Sequence, residues 1–118
     1  MEQKRLDVLV NNAGIGDFKE GRPSAVDFNI LRKVYETNFF GVVRVTTAFI
    51  PLLDKSENPV ISNISSGLGS LTLQTNPEQP FYSVQFAGYN SSKAALNHYT
   101  ITLAADYKKA RVYVSQEF

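Results

Sequence analysis

Three short apolar runs, separated by longer stretches with helical periodicity, constrain the fold of this chain most strongly. The runs lie at 6–10, 59–64 and 111–115, and turn-forming residues follow the first of them. Short apolar runs of this length are typical of strands that are covered on both faces. An order in which strands alternate with helices predicts a parallel sheet.

The stretches between the runs predict three helices and one long connection. Helical spacing begins near 24, is interrupted at Thr37-Asn38, resumes over 39–53 and returns over 87–109. Pro51 is expected to end or kink the second helix. Residues 65–86 contain several glycines and prolines, and connections of that length are usually functional.

The order of elements also predicts an uncovered sheet face. Crossovers between parallel strands are right-handed, so strands that step in one direction bring all their helices to the same face. Such apolar strands require cover on both faces. The sequence therefore indicates an α/β protein that is one flank of a larger, doubly wound domain, with three strands and with helices mainly on one face.

Composition excludes several classes of site. The 118 residues contain no cysteine and one histidine, so thiol chemistry, disulfides and a His-rich metal site are not expected. A net charge of +1 does not suggest nucleic acid or an anionic membrane surface as a partner. No run approaches the ~20 apolar residues of a membrane span, so we expect a soluble, cytoplasmic protein.

Tyr89 and Lys93 are the strongest candidates for catalysis. They are one turn apart on the third predicted helix and therefore share a face. A nearby cation favours the ionised form of a phenol. Such a tyrosine can give a proton to a carbonyl oxygen or take one from an alcohol.

Three further motifs precede this pair in a fixed order. Asn11-Asn12-Ala13-Gly14 follows the first strand, Thr37-Asn38 marks the helix break, and Ser65-Ser66-Gly67 follows the second strand. Together with Tyr89-x-x-x-Lys93 they resemble the short-chain dehydrogenase/reductase family, over nearly the whole chain. The resemblance implies a Rossmann-like domain that transfers hydride between NAD or NADP and an alcohol or carbonyl carbon.

The resemblance also implies roles for individual residues. Tyr89 would be the acid/base, and Lys93 would make it more acidic and bind the nicotinamide ribose. Ser66 would hold the substrate carbonyl, and Asn38 would hold a water that relays protons from Lys93. NAD(P) would also contact Tyr89.

On the adenosine side of the cofactor, the resemblance implies a border formed by Asn11, Ala13 and Gly14. Asn12 would instead tie neighbouring strands together. The two long helices would form the contact of a homo-oligomer.

Other interpretations of these residues remain open. Asn11 and Asn12 could be turn formers, and Asn38 could be a helix N-cap. Only the family pattern favours Ser66 over Ser65. His98 is expected at the surface or at an interface.

The chain departs from the family pattern at both ends and in one spacing. The family pattern has a Gly-rich cofactor turn before the first strand and a substrate-loop region after the last, and this sequence contains neither. We therefore expect 1–118 to be a single partial domain, truncated at both ends, that carries the catalytic half. Ser66 and Tyr89 are also about ten residues further apart than in the family pattern. The choice between NAD and NADP and the identity of the substrate stay undetermined.

Three hypotheses follow for function. The first is a fragment of an NAD(P)-dependent oxidoreductase, with little or no activity expected of the chain alone. The alternative is an inactive remnant that associates with a full-length relative through its helices. A serine hydrolase built on Ser66 and His98 is the third, but the sequence lacks a Gly-x-Ser-x-Gly elbow.

Overall fold

A parallel sheet forms the centre of the computed structural model, which describes residues 5–117. In this part of the chain three strands, β1 (Val8–Asn11), β2 (Val60–Ser66) and β3 (Arg111–Glu117), pair in the order β1-β2-β3. Both pairs are parallel, so each connection crosses over the sheet. The predicted α/β fold with a three-stranded parallel sheet is confirmed.

Two crossovers carry the four α-helices of the described residues. The first contains α1 (Phe28–Tyr35) and α2 (Gly41–Leu53), and the second contains α3 (Leu71–Gln74) and α4 (Ala87–Asp106). Short 3₁₀ turns lie at Phe18–Glu20, Pro23–Ala25 and Gly67–Gly69. A π-helical turn, Glu36–Phe40, joins α1 to α2 without a break in the helical path.

The helices cover one face of the sheet. Leu9 and Ile61 are buried beneath α2 and α4, where they form the core with Leu53. The alternate residues Val8 and Val10 are 52% and 54% exposed on the opposite face. This arrangement confirms helices mainly on one side, and it leaves the other side of β1 open to solvent.

Buried polar side chains tie the sheet to its helices. The amide of Asn11 donates to Thr46 Oγ1 at 3.1 Å and to Asn63 Oδ1 at 2.8 Å. The amide of Asn63 donates in turn to Thr100 Oγ1 at 3.1 Å. This polar ladder (Thr46, Asn11, Asn63 and Thr100) joins α2, β1, β2 and α4, and all four side chains are buried.

Several element boundaries differ from those predicted. The strand expected over 59–64 runs on to Ser66, because β2 and β3 stay in register through that residue. The first helix begins at Phe28 rather than near 24, because Asp27 caps its first amides. The connection expected to lack structure contains α3. No helix among residues 5–117 is long and apolar enough to cross a membrane.

Candidate active site at the carboxyl end of the sheet

The start of α4 lies beside the carboxyl end of β2 and brings Tyr89 and Lys93 together. Lys93 Nζ lies 5.9 Å from the centroid of the Tyr89 ring. The same ammonium donates to the main-chain carbonyl of Ile64 at 3.0 Å. The lysine side chain is only 4% exposed, so its charge is held next to the phenol in a place that excludes most water.

A cleft of about 580 Å³ opens over this pair. One wall comes from the loop after β1, a second from the end of β2, and a third from the connection that leads into α4. The lining residues include Asn12, Gly14, Gly16, Asp17, Phe18, Ser65, Ser66, Leu68, Phe81, Val84, Phe86, Tyr89 and Lys93. Ligands of open parallel sheets bind in this kind of crevice, outside the carboxyl ends of the strands.

Two glycines let the loop after β1 approach the side chains of Lys93 and Tyr89 closely. A Cβ on Gly14 would lie 3.0 Å from Lys93 Nζ. A Cβ on Gly16 would lie 3.2 Å from the ring of Tyr89. The main chain of this loop therefore lines the cleft where a larger residue would displace the ammonium or the phenol.

Asn38 is buried in the π-helical turn and anchors the loop after β1. Its Oδ1 accepts from the Ile15 amide at 2.8 Å, and its Nδ2 donates to the Ile15 carbonyl at 2.8 Å and to Ser92 Oγ at 3.0 Å. Asn38 itself has helical backbone on both sides, so its interpretation as an N-cap is wrong. The structure makes it a connector of the loop, α2 and α4.

The two candidate serines both line the cleft but use their hydroxyl groups differently. Ser65 Oγ donates to the main-chain carbonyl of Lys93 at 3.4 Å. Ser66 Oγ accepts from the Leu68 amide at 3.1 Å. Because that bond uses an oxygen lone pair, the hydroxyl hydrogen of Ser66 is still available to a ligand.

The positions of Asn11 and Asn12 are the reverse of those predicted. Asn11 points into the core as part of the polar ladder, and it ties β1 to β2. Asn12 is exposed and lines the cleft. The assignment of strand tying to Asn12 is therefore wrong. The two-residue period of a strand could have shown this, since Asn11 shares a face with Leu9.

The sequence also missed the aromatic wall of the cleft. Phe18 and Phe86 meet edge to face with ring centroids 5.4 Å apart, and both line the cleft with Phe81. The feature of the sequence that could have revealed these phenylalanines is their position, because they lie in the segments that follow the carboxyl ends of β1 and β2. His98 is exposed on α4, about 13.5 Å of helical rise from Tyr89, as its surface interpretation predicted.

The family model for short chain dehydrogenases matches residues 1–116. The chain belongs to the short-chain dehydrogenase/reductase family. It is 35% identical over 113 residues to a short-chain dehydrogenase of Penicillium roqueforti, covering 92% of this chain and 44% of that protein. Against the (+)-neomenthol dehydrogenase of Capsicum annuum it is 28% identical, covering 92% of this chain and 55% of the relative.

Solved structures agree with this membership. The crystal structure of a short chain dehydrogenase/reductase from Saccharomyces cerevisiae matches with a TM-score of 0.76 at 28% identity, over 93% of this chain and 39% of that one. A short chain dehydrogenase from Escherichia coli CFT073 in complex with NADPH matches with a TM-score of 0.74 at 27% identity, over 94% and 42%. This short-chain dehydrogenase/reductase sequence thus spans about half the length, or less, of the relatives that it matches.

Proposed function

We propose that this cleft serves hydride transfer between a nicotinamide cofactor and an alcohol or carbonyl carbon, with Tyr89 as the acid/base. The observation that carries the proposal is the placement of Lys93 Nζ 5.9 Å from the Tyr89 ring, at a cleft lined by both residues. Family membership supports the same reaction class. In the reductive direction Tyr89 gives its proton to the substrate oxygen, with the Lys93 ammonium beside its ring.

The residues beside the phenol suit NAD or NADP. Gly14 brings main chain against the Lys93 ammonium, where a larger residue would fill the space, and Asn12 faces the same cleft. We assign cofactor contact to Ala13, Gly14 and Lys93, with Asn12 in the place first given to Asn11. The nicotinamide supplies or accepts the hydride when it is bound.

Ser66 is the better candidate to hold the substrate oxygen. Its hydroxyl hydrogen is available, whereas that of Ser65 is directed to the main chain of α4. A donor aimed at the oxygen stabilises the charge that develops there. The Nδ2 of Asn38 is already bonded to Ile15 and Ser92. Its Oδ1 and Lys93 Nζ both lie near the Cβ position of Gly14, so we assign to this oxygen, which accepts one bond from Ile15 and has a second lone pair, the water that relays protons from Lys93.

The substrate class that fits the cleft is an apolar alcohol or ketone. Phe18 is 87% exposed at the mouth of the cleft, and Leu68, Val84 and Phe86 line it further in. Covering such a surface with an apolar ligand is favourable by about 25 cal/mol per Å². Relatives named as a neomenthol dehydrogenase and an estradiol 17-beta-dehydrogenase support this class.

Direct binding of reduced nicotinamide tests the proposal. We expect nicotinamide fluorescence to rise on titration with the wild-type chain, and Lys93→Ala to weaken binding at least about tenfold, by ~1.4 kcal/mol. Tyr89→Phe should leave binding intact and lower any turnover of an apolar ketone by about 10² or more. Tyr113→Phe, a matched change on the uncovered sheet face, should alter neither property.

If the wild-type chain binds neither NADH nor NADPH at millimolar concentration, the enzyme proposal fails and a second one gains support. That proposal is association through α2 and α4 with a second copy or a full-length relative. Val45 and Phe49, one turn apart on α2, are 41% and 36% exposed, and Ile101 on α4 is 67% exposed. We propose the exposed apolar side chains of these two helices as the contact surface.

Sedimentation equilibrium tests that association. A defined dimer of the wild-type chain that dissociates in Phe49→Glu, but persists in the control Phe28→Glu on α1, would support it. A wild-type chain that stays monomeric alone and does not bind a full-length relative would exclude it.

A further inference from the structure

Glu20 is a fully buried acidic residue that the reaction does not use. It ends the 3₁₀ turn after β1, and its side chain has no exposed surface. Oε2 accepts from the Gly88 amide at 2.6 Å, and Oε1 has no hydrogen-bond partner among the described residues. Burying a carboxylate costs free energy unless other groups stabilise it, so this placement requires an explanation.

The explanation lies at the first turn of α4. The first amides of a helix have no partner within the helix, and that end carries partial positive charge. α4 has 20 residues, and its N-cap residue Phe86 provides no side-chain hydrogen bond. Glu20, 68 positions earlier in the chain, provides the missing acceptor.

Space for the carboxylate depends on the lack of a side chain at Gly88. A Cβ there would lie 3.0 Å from Oε1 and 3.1 Å from Oε2 of Glu20. Leu31 Cδ1 would be 3.1 Å away on another side. Glycine at this position therefore allows the carboxylate to sit against the helix end.

Two of the three walls of the cleft meet at this contact, the loop after β1 and the segment that leads into α4. Gly88 directly precedes Tyr89, and the turn that ends at Glu20 begins at Phe18, which packs edge to face on Phe86. Gly16 in the same loop lies against the Tyr89 ring. The Glu20–Gly88 hydrogen bond thus joins the loop after β1 to the first turn of α4, one residue from Tyr89.

We infer that Glu20 is a positioning residue, which holds the loop after β1 against the start of α4 and thereby sets the orientation of Tyr89 in the cleft. It does not touch the substrate. The part of Glu20 in catalysis rests on the function proposed above, but its hydrogen bond to Gly88 can be tested without measuring turnover. Loss of nicotinamide binding by the wild-type chain would count against the proposed function and would leave this measurement unchanged.

The test is amide hydrogen exchange at Gly88 together with the NMR resonances of the Tyr89 ring, assigned with Tyr89→Phe. In Glu20→Ala we expect Gly88 to exchange about tenfold faster or more, and the Tyr89 resonances to move. Glu20→Gln keeps an acceptor oxygen and should restore part of the Gly88 protection. A Gln variant as unprotected as the Ala variant would overturn the inference.

Asp27→Ala is the matched control, because Asp27 is also a carboxylate cap, on the exposed start of α1. It should leave both Gly88 and Tyr89 unchanged, and an equal change there would overturn the inference. If Glu20→Ala does not fold, the same Tyr89 ring resonances are measured in Gly88→Ala, and this variant decides whether the inference holds. Its Cβ displaces the carboxylate, so an unmoved Tyr89 ring in that variant would contradict the proposed role.

Discussion

At the scale of single residues, the proposed chemistry depends on the position of the Lys93 ammonium. Its Nζ is held by the Ile64 carbonyl and faces the main chain at Gly14. The interaction of a buried charge with its neighbours depends on distance, so a displaced ammonium would act differently on the groups of the cleft. Small residues next to it are therefore part of the site even though they carry no reactive group.

Gly14→Ala is expected to disturb function more than stability. The added Cβ would lie 3.0 Å from Lys93 Nζ and 3.6 Å from Asn38 Oδ1, and the lysine can move because its side chain is flexible. We expect the free energy of unfolding to fall by less than about 1 kcal/mol. Binding of reduced nicotinamide should weaken by about tenfold. A urea titration and a fluorescence titration measure the two effects, and unchanged binding would contradict the prediction.

Individual residues differ in how far the sequence could predict them. Tyr89 and Lys93 were predictable because helical geometry alone puts them on one face. The sequence could not distinguish Ser65 from Ser66 as the residue that holds the substrate oxygen, because the distinction depends on which hydroxyl group bonds to the main chain of α4. Glu20 was also hidden. Its position three residues after Asp17 favours a local capping box, whereas the structure directs its carboxylate to Gly88.

At the scale of elements, the ends of α2 and α4 are held together by side chains from the loop before β3. The Tyr107 hydroxyl donates to Asp54 Oδ1 at 2.6 Å, and Lys109 Nζ donates to the Asp54 carbonyl. Lys109 follows α4 in the chain but caps the end of α2. This happens because α4 ends at Asp106, earlier than predicted, and the chain then turns back toward α2.

The Tyr107–Asp54 contact predicts a stability change at high pH. Burial, and then the neighbouring Asp54, raise the pKa of Tyr107 to about 12. The unfolded chain releases this proton near pH ~10, so the contribution is complete below that pH and is lost as pH rises toward 12. Tyr107→Phe should cost about 1 kcal/mol at neutral pH. Urea titrations from neutral pH to about pH 11 should show the difference from wild type shrinking, and a difference that stays constant over this range would contradict the prediction.

Gly69→Ala should destabilise the packing of the turn after β2 on α4. The added Cβ would lie 2.8 Å from the carbonyl carbon of Lys93 and 2.9 Å from the amide nitrogen of Ala94. Both are main-chain atoms within a helix and cannot move cheaply. We expect a loss of about 1–3 kcal/mol in the urea titration, more than for Gly14→Ala. Equal losses in the two glycine variants would refute this comparison.

At the scale of the whole molecule, the main feature is the sheet face that none of the described helices covers. Val8, Val10 and Tyr113 are about half exposed on it, which is unusual for parallel strands. This face was predictable from strand order and crossover handedness alone. The cleft was only partly predictable, since its aromatic wall depends on how the long connection before α4 folds back on the loop after β1.

The two faces of β1 should respond in opposite ways to a lysine. Val10→Lys is expected to reduce concentration-dependent self-association while changing the free energy of unfolding by no more than about 0.5 kcal/mol. Leu9→Lys, one residue away, puts a charge under α2 and should unfold the chain. Sedimentation velocity over a concentration series and circular dichroism measure the two outcomes. Undiminished association of Val10→Lys would show that another surface is responsible.

The polar ladder has a consequence for how the chain reaches this arrangement. Apolar side chains tolerate neighbours of many shapes, but Asn11 and Asn63 each need a partner at a particular height along the adjoining strand or helix. Sliding β1 past β2 by one residue would turn the Asn11 amide away from both partners and leave buried groups unsatisfied. Misaligned strands are thereby destabilised relative to the native register, so the same hydrogen bonds that align the sheet also align the residues of the cleft.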